Sequence, residues 1–292
     1  MLPNFIGIGA PKSGTTWLFK CLQEHPEIFL TPIKETYFFD YFFDPDHISK
    51  YDENFENSDL FKAIGEVTAT YIFSKEAPER IHKLLPDIKI IVSLRNPVDQ
   101  VYSHYWHLLR QNFHSSDCRR LSFEQAIEQY RDRLIEPALY SKHLDVWLRY
   151  FDKMQLKFIF YDDIQENPKQ VLQDLYSFLE VDPGFIPEGM LHRDASSRKG
   201  VSPRNSLLSQ SHSFMYQTLN QYIYAPLKQL IGDHRSASIK DALKVRQIMQ
   251  LLFYKDGYPK MNVETRQKLS QYFREDIQSL EYLSNRSLSH WI

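Results

Sequence analysis

Cysteine is nearly missing from this chain: Cys21 and Cys118 are the two in 292 residues. Two thiols cannot build a disulfide framework, and neither stands at metal-ligand spacing, so a reducing compartment is the simpler expectation. No apolar run reaches membrane-spanning length, and the first apolar segment starts at Phe5, leaving no room for a signal peptide. A soluble, cytoplasmic protein without a membrane span is expected. Excess charge is absent too. Lys and Arg total 35 against 37 Asp and Glu, a formal net charge of −2, which argues against a bulk electrostatic partner such as nucleic acid. Any anionic ligand must therefore be held by placed residues.

What is present is ordinary globular composition, 42% hydrophobic and 25% charged, with 18 Tyr and 20 Phe leaning toward aromatic packing or binding surfaces. The opening stretch is the most informative. Phe5-Ile6-Gly7-Ile8-Gly9 runs into Ala10-Pro11-Lys12-Ser13-Gly14-Thr15-Thr16-Trp17 and then into helical spacing at Leu18, Cys21 and Leu22. A β-prone run, a Gly/Pro/Ser turn and a helix opening on two threonines make a strand–loop–helix unit, whose free N–H groups and positive dipole end attract phosphate. It departs from the nucleotide-triphosphatase loop in one respect: Thr15 follows Gly14 where that loop has its lysine, and the lysine stands two places earlier, at Lys12.

The same grammar returns downstream. Ile88 to Leu94 reads as a buried parallel strand, ends at Arg95-Asn96-Pro97, and gives way to a helix from about Val98 to Arg110. Further strands are expected at Ile28–Leu30, within Lys62–Thr70 and at Leu156–Tyr161, the last leading through Asp162-Asp163 and Asn167-Pro168 into a helix. Helices are expected at Pro78–Leu85, Ser122–Arg131, Tyr140–Phe151 and Lys169–Glu180, and a last one carries Leu269, Phe273, Ile277 and Leu280. Residues 44 to 60 read as polar surface. Alternating strands and helices predict an α/β three-layer sandwich with a mostly parallel central sheet. No repeat or long linker interrupts it, so residues 1–292 are expected to form one domain, with 205–292 its mainly helical C-terminal part.

Arg95 at a strand end and Ser103 about two turns along the next helix place a guanidinium and a hydroxyl within reach of one phosphate. Here the motifs carry a resemblance. Pro11-Lys12-Ser13-Gly14-Thr15-Thr16-Trp17 resembles the 5′-phosphosulfate loop of sulfotransferases that use 3′-phosphoadenylyl sulfate (PAPS). Arg95-Asn96-Pro97 with Ser103 resembles their 3′-phosphate motif, and Arg198-Lys199-Gly200 is similar to the loop that closes over that phosphate. The run Leu156–Asp163 with Asn167-Pro168, and the tail from Glu264 to Trp291, are also similar to the family's late elements. The resemblance implies a fold like that of the P-loop nucleotide kinases.

Within the family, the Lys-Thr-His segment of the phenol and steroid enzymes is missing. Lys34-Glu35-Thr36-Tyr37-Phe38-Phe39-Asp40 instead resembles the Glu-x-x-Phe-Phe-Asp segment of heparan-sulfate-type sulfotransferases, in which the glutamate is the base. Apolar neighbours and an adjacent cation are means of tuning a carboxylate for proton abstraction. One position departs from that branch: Gly65-Glu66-Val67-Thr68 has Val67 where a lysine is common, which weakens a specific expectation of heparan-like acceptors.

The resemblance implies PAPS as co-substrate, PAP (the desulfated product) as product, and no metal. Glu35 would take the acceptor proton and Lys12 would stabilise charge on the leaving phosphate. Ser13, Gly14, Thr15 and Thr16 would hold the 5′-phosphate, while Arg95 and Ser103, with Arg198, Lys199 and Gly200, would hold the 3′-phosphate. Trp17 would stack on adenine or pack the first helix. His104 and His107, three apart, lack a third ligand and read as polar or packing residues. The acceptor is open among saccharide, lipid, natural-product alcohol, amine and protein tyrosine, and oligomeric state is not readable. Two other readings stand beside this one: a nucleotide kinase or triphosphatase, and a catalytically silent PAP-binding module.

Overall fold

Phe5–Gly9 forms β1, buried at every residue, in a computed structural model that describes residues 2–110, 121–190, 201–203 and 254–292. A glycine-punctuated turn leads from β1 into α1 (Thr15–Gln23), which ends before β2 (Ile28–Leu30). Next come α2 (Ile48–Asp52), β3 (Ala63–Val67), α3 (Ala77–Leu84), β4 (Lys89–Leu94) and α4 (Pro97–Arg110). They are followed by α5 (Phe123–Gln129), α6 (Arg131–Leu134), α7 (Tyr140–Trp147), β5 (Leu156–Phe160), α8 (Tyr161–Glu166) and α9 (Pro168–Leu179). After the two short strands β6 (Val201–Pro203) and β7 (Tyr254–Asp256), α10 (Val263–Ser284) closes the sequence of elements.

The main sheet has five strands in the order β2-β3-β1-β4-β5, and every pairing in it is parallel. Phe5 faces Gly65 on one side and Lys89 on the other. From β1 the chain moves to one flank to lay down β2 and β3, then crosses to the other for β4 and β5. The reversal opens a crevice beyond the carboxyl end of β1, where open α/β sheets take ligands. The expected α/β architecture with a parallel central sheet is the one found. Apolar strands with helices on their faces account for it, since both faces of a parallel sheet must be covered.

Chain contacts divide the protein into two compact units, Met1–His104 with Glu124–Ser197 and Met261–Ile292, and Tyr105–Phe123 with Arg198–Lys260. The first holds the five-stranded sheet; the second holds the antiparallel pair β6 and β7. In the first unit, Trp17, Leu18, Cys21 and Leu22 of α1 share a core with Leu172, Leu175, Tyr176 and Leu179 of α9. Each large apolar side chain buried there contributes about 1.5–3 kcal/mol. Tyr176 donates to the Cys21 carbonyl at 3.2 Å. Burial, reinforced by the charge of Glu24, pushes the Cys21 thiol up to about 12, so it behaves as a core residue rather than a nucleophile.

Gly65 is required by closeness: a Cβ there would stand 2.6 Å from the Phe5 ring. The α10 stripe Leu269, Phe273, Ile277 and Leu280 is buried as its spacing predicts. Asp276 on the same helix accepts from Ser141 N at 3.1 Å and Ser141 Oγ at 2.5 Å, capping the start of α7 from across the fold.

Two expectations need correction. Residues 44 to 60 are not simply polar surface, because Tyr51 and Phe55 are buried; one turn apart, they reach the core together while their charged neighbours stay outside. Asp162 and Asp163 belong to α8 rather than to a connection, and acids in a first turn favour a helix N-terminus.

Candidate active site

The loop after β1 is held from β4. Ala10 N donates to Ser93 O at 2.6 Å, and Ser93 Oγ donates to Ser13 O at 2.6 Å. Gln100 of α4 adds a bond from its Nε2 to Pro11 O at 3.1 Å. Lys12 (φ 66°) and Gly14 (φ 94°) both take the left-handed conformation, which turns the chain tightly into α1. The start of α1 has no side-chain cap and no acidic residue in its first turn. Its first N–H groups are therefore available to an anion, and this donor set fits a 5′-phosphate. Ser13 and Thr15 are buried against the fold.

Trp17 is buried in the core cluster. Burial and the charge of Lys12 pull His104 down to about 4, leaving a neutral imidazole beside that lysine at physiological pH. Tyr140, which the sequence reading did not single out, is buried beside Ser13 and Arg95, and burial pushes its hydroxyl well up.

Arg95 leaves the end of β4, donates from Nη1 to Lys12 O at 3.4 Å and lies over the Tyr161 ring at 4.7 Å. Asn96 caps α4 by accepting from Val98 N at 3.0 Å and donates to Trp291 O at 3.2 Å. Ser103 is buried two turns into that helix. The two predicted phosphate segments thus come from adjacent parallel strands and touch through Ser93, Ser13, Arg95 and Lys12. Arg198, Lys199 and Gly200 lie outside the described residues.

Glu35 stands at the same strand edge. Its N–H donates to Val67 O at 3.1 Å, and its Oε2 accepts from Ala69 N at 2.7 Å, just past β3. Lys34 pairs with its other carboxylate oxygen. Its side chain keeps 22% exposure, and a carboxylate has lone pairs beyond those two bonds to offer a proton donor. Ala69 is also where the phosphate loop begins: a Cβ on Gly9 would stand 2.3 Å from Ala69 O.

The residue missed by sequence reasoning is Glu66. Fully buried in β3, it accepts from Tyr51 OH at 2.7 Å, Thr68 Oγ1 at 2.9 Å, Tyr71 OH at 3.2 Å and, closest, Thr36 Oγ1. Burial raises its pKa against the pull of those donors. The available signal was an acid inside an otherwise apolar strand. Among the described residues, no group of three or more His, Cys, Asp and Glu is placed to hold a metal ion, and no helix is long and apolar enough to cross a membrane.

Backbone donors and cations gathered at the carboxyl ends of adjacent parallel strands, with an acid beside them, make an edge suited to an anionic ligand in a parallel α/β domain. A model of the sulfotransferase domain matches residues 2–221, and the chain belongs to that family. It is 28% identical over 275 residues to the bifunctional heparan sulfate N-deacetylase/N-sulfotransferase of Drosophila melanogaster, covering 82% of this chain and 26% of that protein. A membrane-associated sulfotransferase of Dictyostelium discoideum is 25% identical over 309 residues, covering 75% of this chain and 66% of that one. The chain spans about a quarter of the length of the heparan sulfate relatives it matches. The crystal structure of a sulfotransferase from Alicyclobacillus acidocaldarius shares the fold, with a TM-score of 0.69 at 24% identity over 100% of this chain and 99% of that one.

Proposed function

We propose that this protein transfers the sulfuryl group of PAPS to an acceptor hydroxyl or amine. The observation that carries the reading is the joining of the two phosphate segments, with Ser93 Oγ bonded to Ser13 O and Arg95 bonded to Lys12 O, beside the Glu35 carboxylate on Ala69 N–H. A triphosphate needs one such segment; a nucleotide bearing 5′- and 3′-phosphates uses both. The start of α1 and the hydroxyls of Ser13, Thr15 and Thr16 bind the 5′-phosphate, and Arg95 with Ser103 binds the 3′-phosphate. Lys12 steadies the charge that develops as the phosphate leaves, and Glu35 takes the acceptor proton. The contribution is alignment and charge stabilisation, by analogy with phosphoryl transfer.

The heparan sulfate relatives make an amino sugar the first acceptor to try, although Val67 stands where that branch commonly has a lysine. A soluble, cytoplasmic setting belongs to the same proposal and is checked by cell fractionation. The main test is thermal stabilisation by PAP compared with ADP and ATP, followed by labelled-sulfate transfer to N-desulfated heparan oligosaccharide, lipid, alcohol and tyrosine-peptide acceptors. Preferential stabilisation by PAP and label in one acceptor are expected. Equal stabilisation by all three nucleotides overturns the reading.

A further inference from the structure

A buried carboxylate served by hydroxyls alone is costly to keep unless it orders something. β3 does not need one, since its pairing with β1 and β2 runs through backbone groups. What the four hydroxyls around Glu66 have in common is the loop that carries Glu35. Thr36, the next residue, is gripped at two atoms: its N–H donates to Thr68 Oγ1 at 3.0 Å, and its hydroxyl donates to Glu66 Oε2. Thr68 Oγ1 itself donates to that same oxygen. Tyr71, bound to Glu66 Oε1, accepts from Phe39 N at 3.2 Å. Tyr51, bound to the same oxygen, stacks on Phe38 at 4.5 Å. Positions 36, 38 and 39 all lead back to one side chain.

The segment so held is strained. Glu35 (φ 66°) and Tyr37 (φ 55°) both take left-handed backbone, on either side of Thr36. Such conformations persist in non-glycine residues only where the surroundings over-determine them, and here the surroundings are the Glu66 hydroxyl cluster. We propose that Glu66 is a positioning residue for sulfuryl transfer: acting through Thr36, it keeps the Glu35 carboxylate against Ala69 N–H at the end of β3. The inference rests on the reading of Glu35 as the base.

The test compares wild type with Glu66→Gln, Thr36→Val and Thr36→Ser. It uses amide hydrogen exchange over residues 33–42, PAP affinity, and steady-state transfer from PAPS to N-desulfated heparan oligosaccharide. Thr36→Val removes the hydroxyl without disturbing the strand and so covers the case in which Glu66→Gln fails to fold. The expected result for Thr36→Val and Glu66→Gln is exchange over 33–42 faster by about tenfold or more. Their kcat should fall by about tenfold to a hundredfold, as slight misplacement of a reacting group does, while KM for PAPS and PAP affinity stay at the wild-type value. Thr36→Ser restores both exchange and kcat. Unchanged exchange over 33–42, or a loss of PAP affinity matching the loss of kcat, overturns the proposal. Should wild type bind no PAP or label no oligosaccharide, the functional reading fails on its own account, and the exchange data still decide whether Glu66 fixes the Glu35 loop.

Discussion

Arg95→Ala separates the two phosphates. Among the described residues the guanidinium makes one long bond, 3.4 Å to Lys12 O, and one ring contact, 4.7 Å over Tyr161. A cation over an accessible ring contributes about 0.5–1 kcal/mol, so its removal should cost the folded protein no more than about 1 kcal/mol. Its value in binding is larger. A hydrogen bond to a charged group contributes about 1.5–3 kcal/mol, which is roughly a tenfold to 150-fold change in Kd. The assay is calorimetric titration of wild type and variant with PAP and with 5′-AMP, which lacks the 3′-phosphate. PAP affinity should fall by that factor. Affinity for 5′-AMP should stay within about threefold, the effect of a substitution away from any contact. Arg95→Lys should recover part of the loss, since it keeps the charge but not the planar fork or the ring contact. Equal losses for PAP and 5′-AMP would refute the 3′-phosphate assignment and leave Arg95 as a strut for the Lys12 turn.

Lys12→Ala should lower kcat by about a hundredfold or more, the scale of removing one transition-state charge contact; near-wild-type turnover sinks its role. Glu35→Gln should abolish transfer while PAP still binds with wild-type affinity, and unchanged transfer would move the base elsewhere. The buried acids make a pH prediction of definite sign. Burial raises Glu66 above 4.5 and Asp276 above 3.8, so above those values the folded state holds protons that the unfolded state has released. The stability each group adds is therefore complete at low pH and is lost as the pH rises through its raised pKa. In urea unfolding from about pH 4 to neutrality, Glu66→Gln and Asp276→Asn should each flatten that decline, and a steeper decline in either variant contradicts the assignment.

Much of this arrangement was readable from residues. The strands at Phe5–Gly9 and Lys89–Leu94 are apolar runs that end in Gly/Pro or Arg-Asn-Pro punctuation, and local chemistry of that kind fixes both the elements and the loops between them. The three-layer parallel sheet followed from their alternation with helices. Glu66 was not readable in the same way: its partners Thr36, Tyr51 and Tyr71 come from three separate segments, a loop, the helix α2 and the turn after β3, and meet only once β3 is in the sheet. Asp276 at the start of α7 is a similar case, a helix cap supplied from another helix far along the chain. Tyr51 and Phe55 were legible in principle by their spacing but were masked by the acidic residues around them. The Asp162–Asp163 pair reads as a connection after the strand because adjacent acids suit an irregular segment and a helix start equally well.

The place of Phe5–Gly9 in the middle of the sheet has a consequence for how the protein is made. Both strands that flank it come later in the chain, with Gly65 and Lys89 opposite Phe5. As the chain is synthesised, the loop after β1 has nothing to close against until Ser93 and Arg95 have followed. Throughout that interval an apolar strand offers two bare edges, the state in which nascent chains aggregate or recruit chaperones. Translation stalled before Leu94 should therefore yield a nascent chain that is sticky and lacks the Ser93 and Arg95 bonds to the loop, and release of the whole chain, with β5 and α9 in place, should remove both defects.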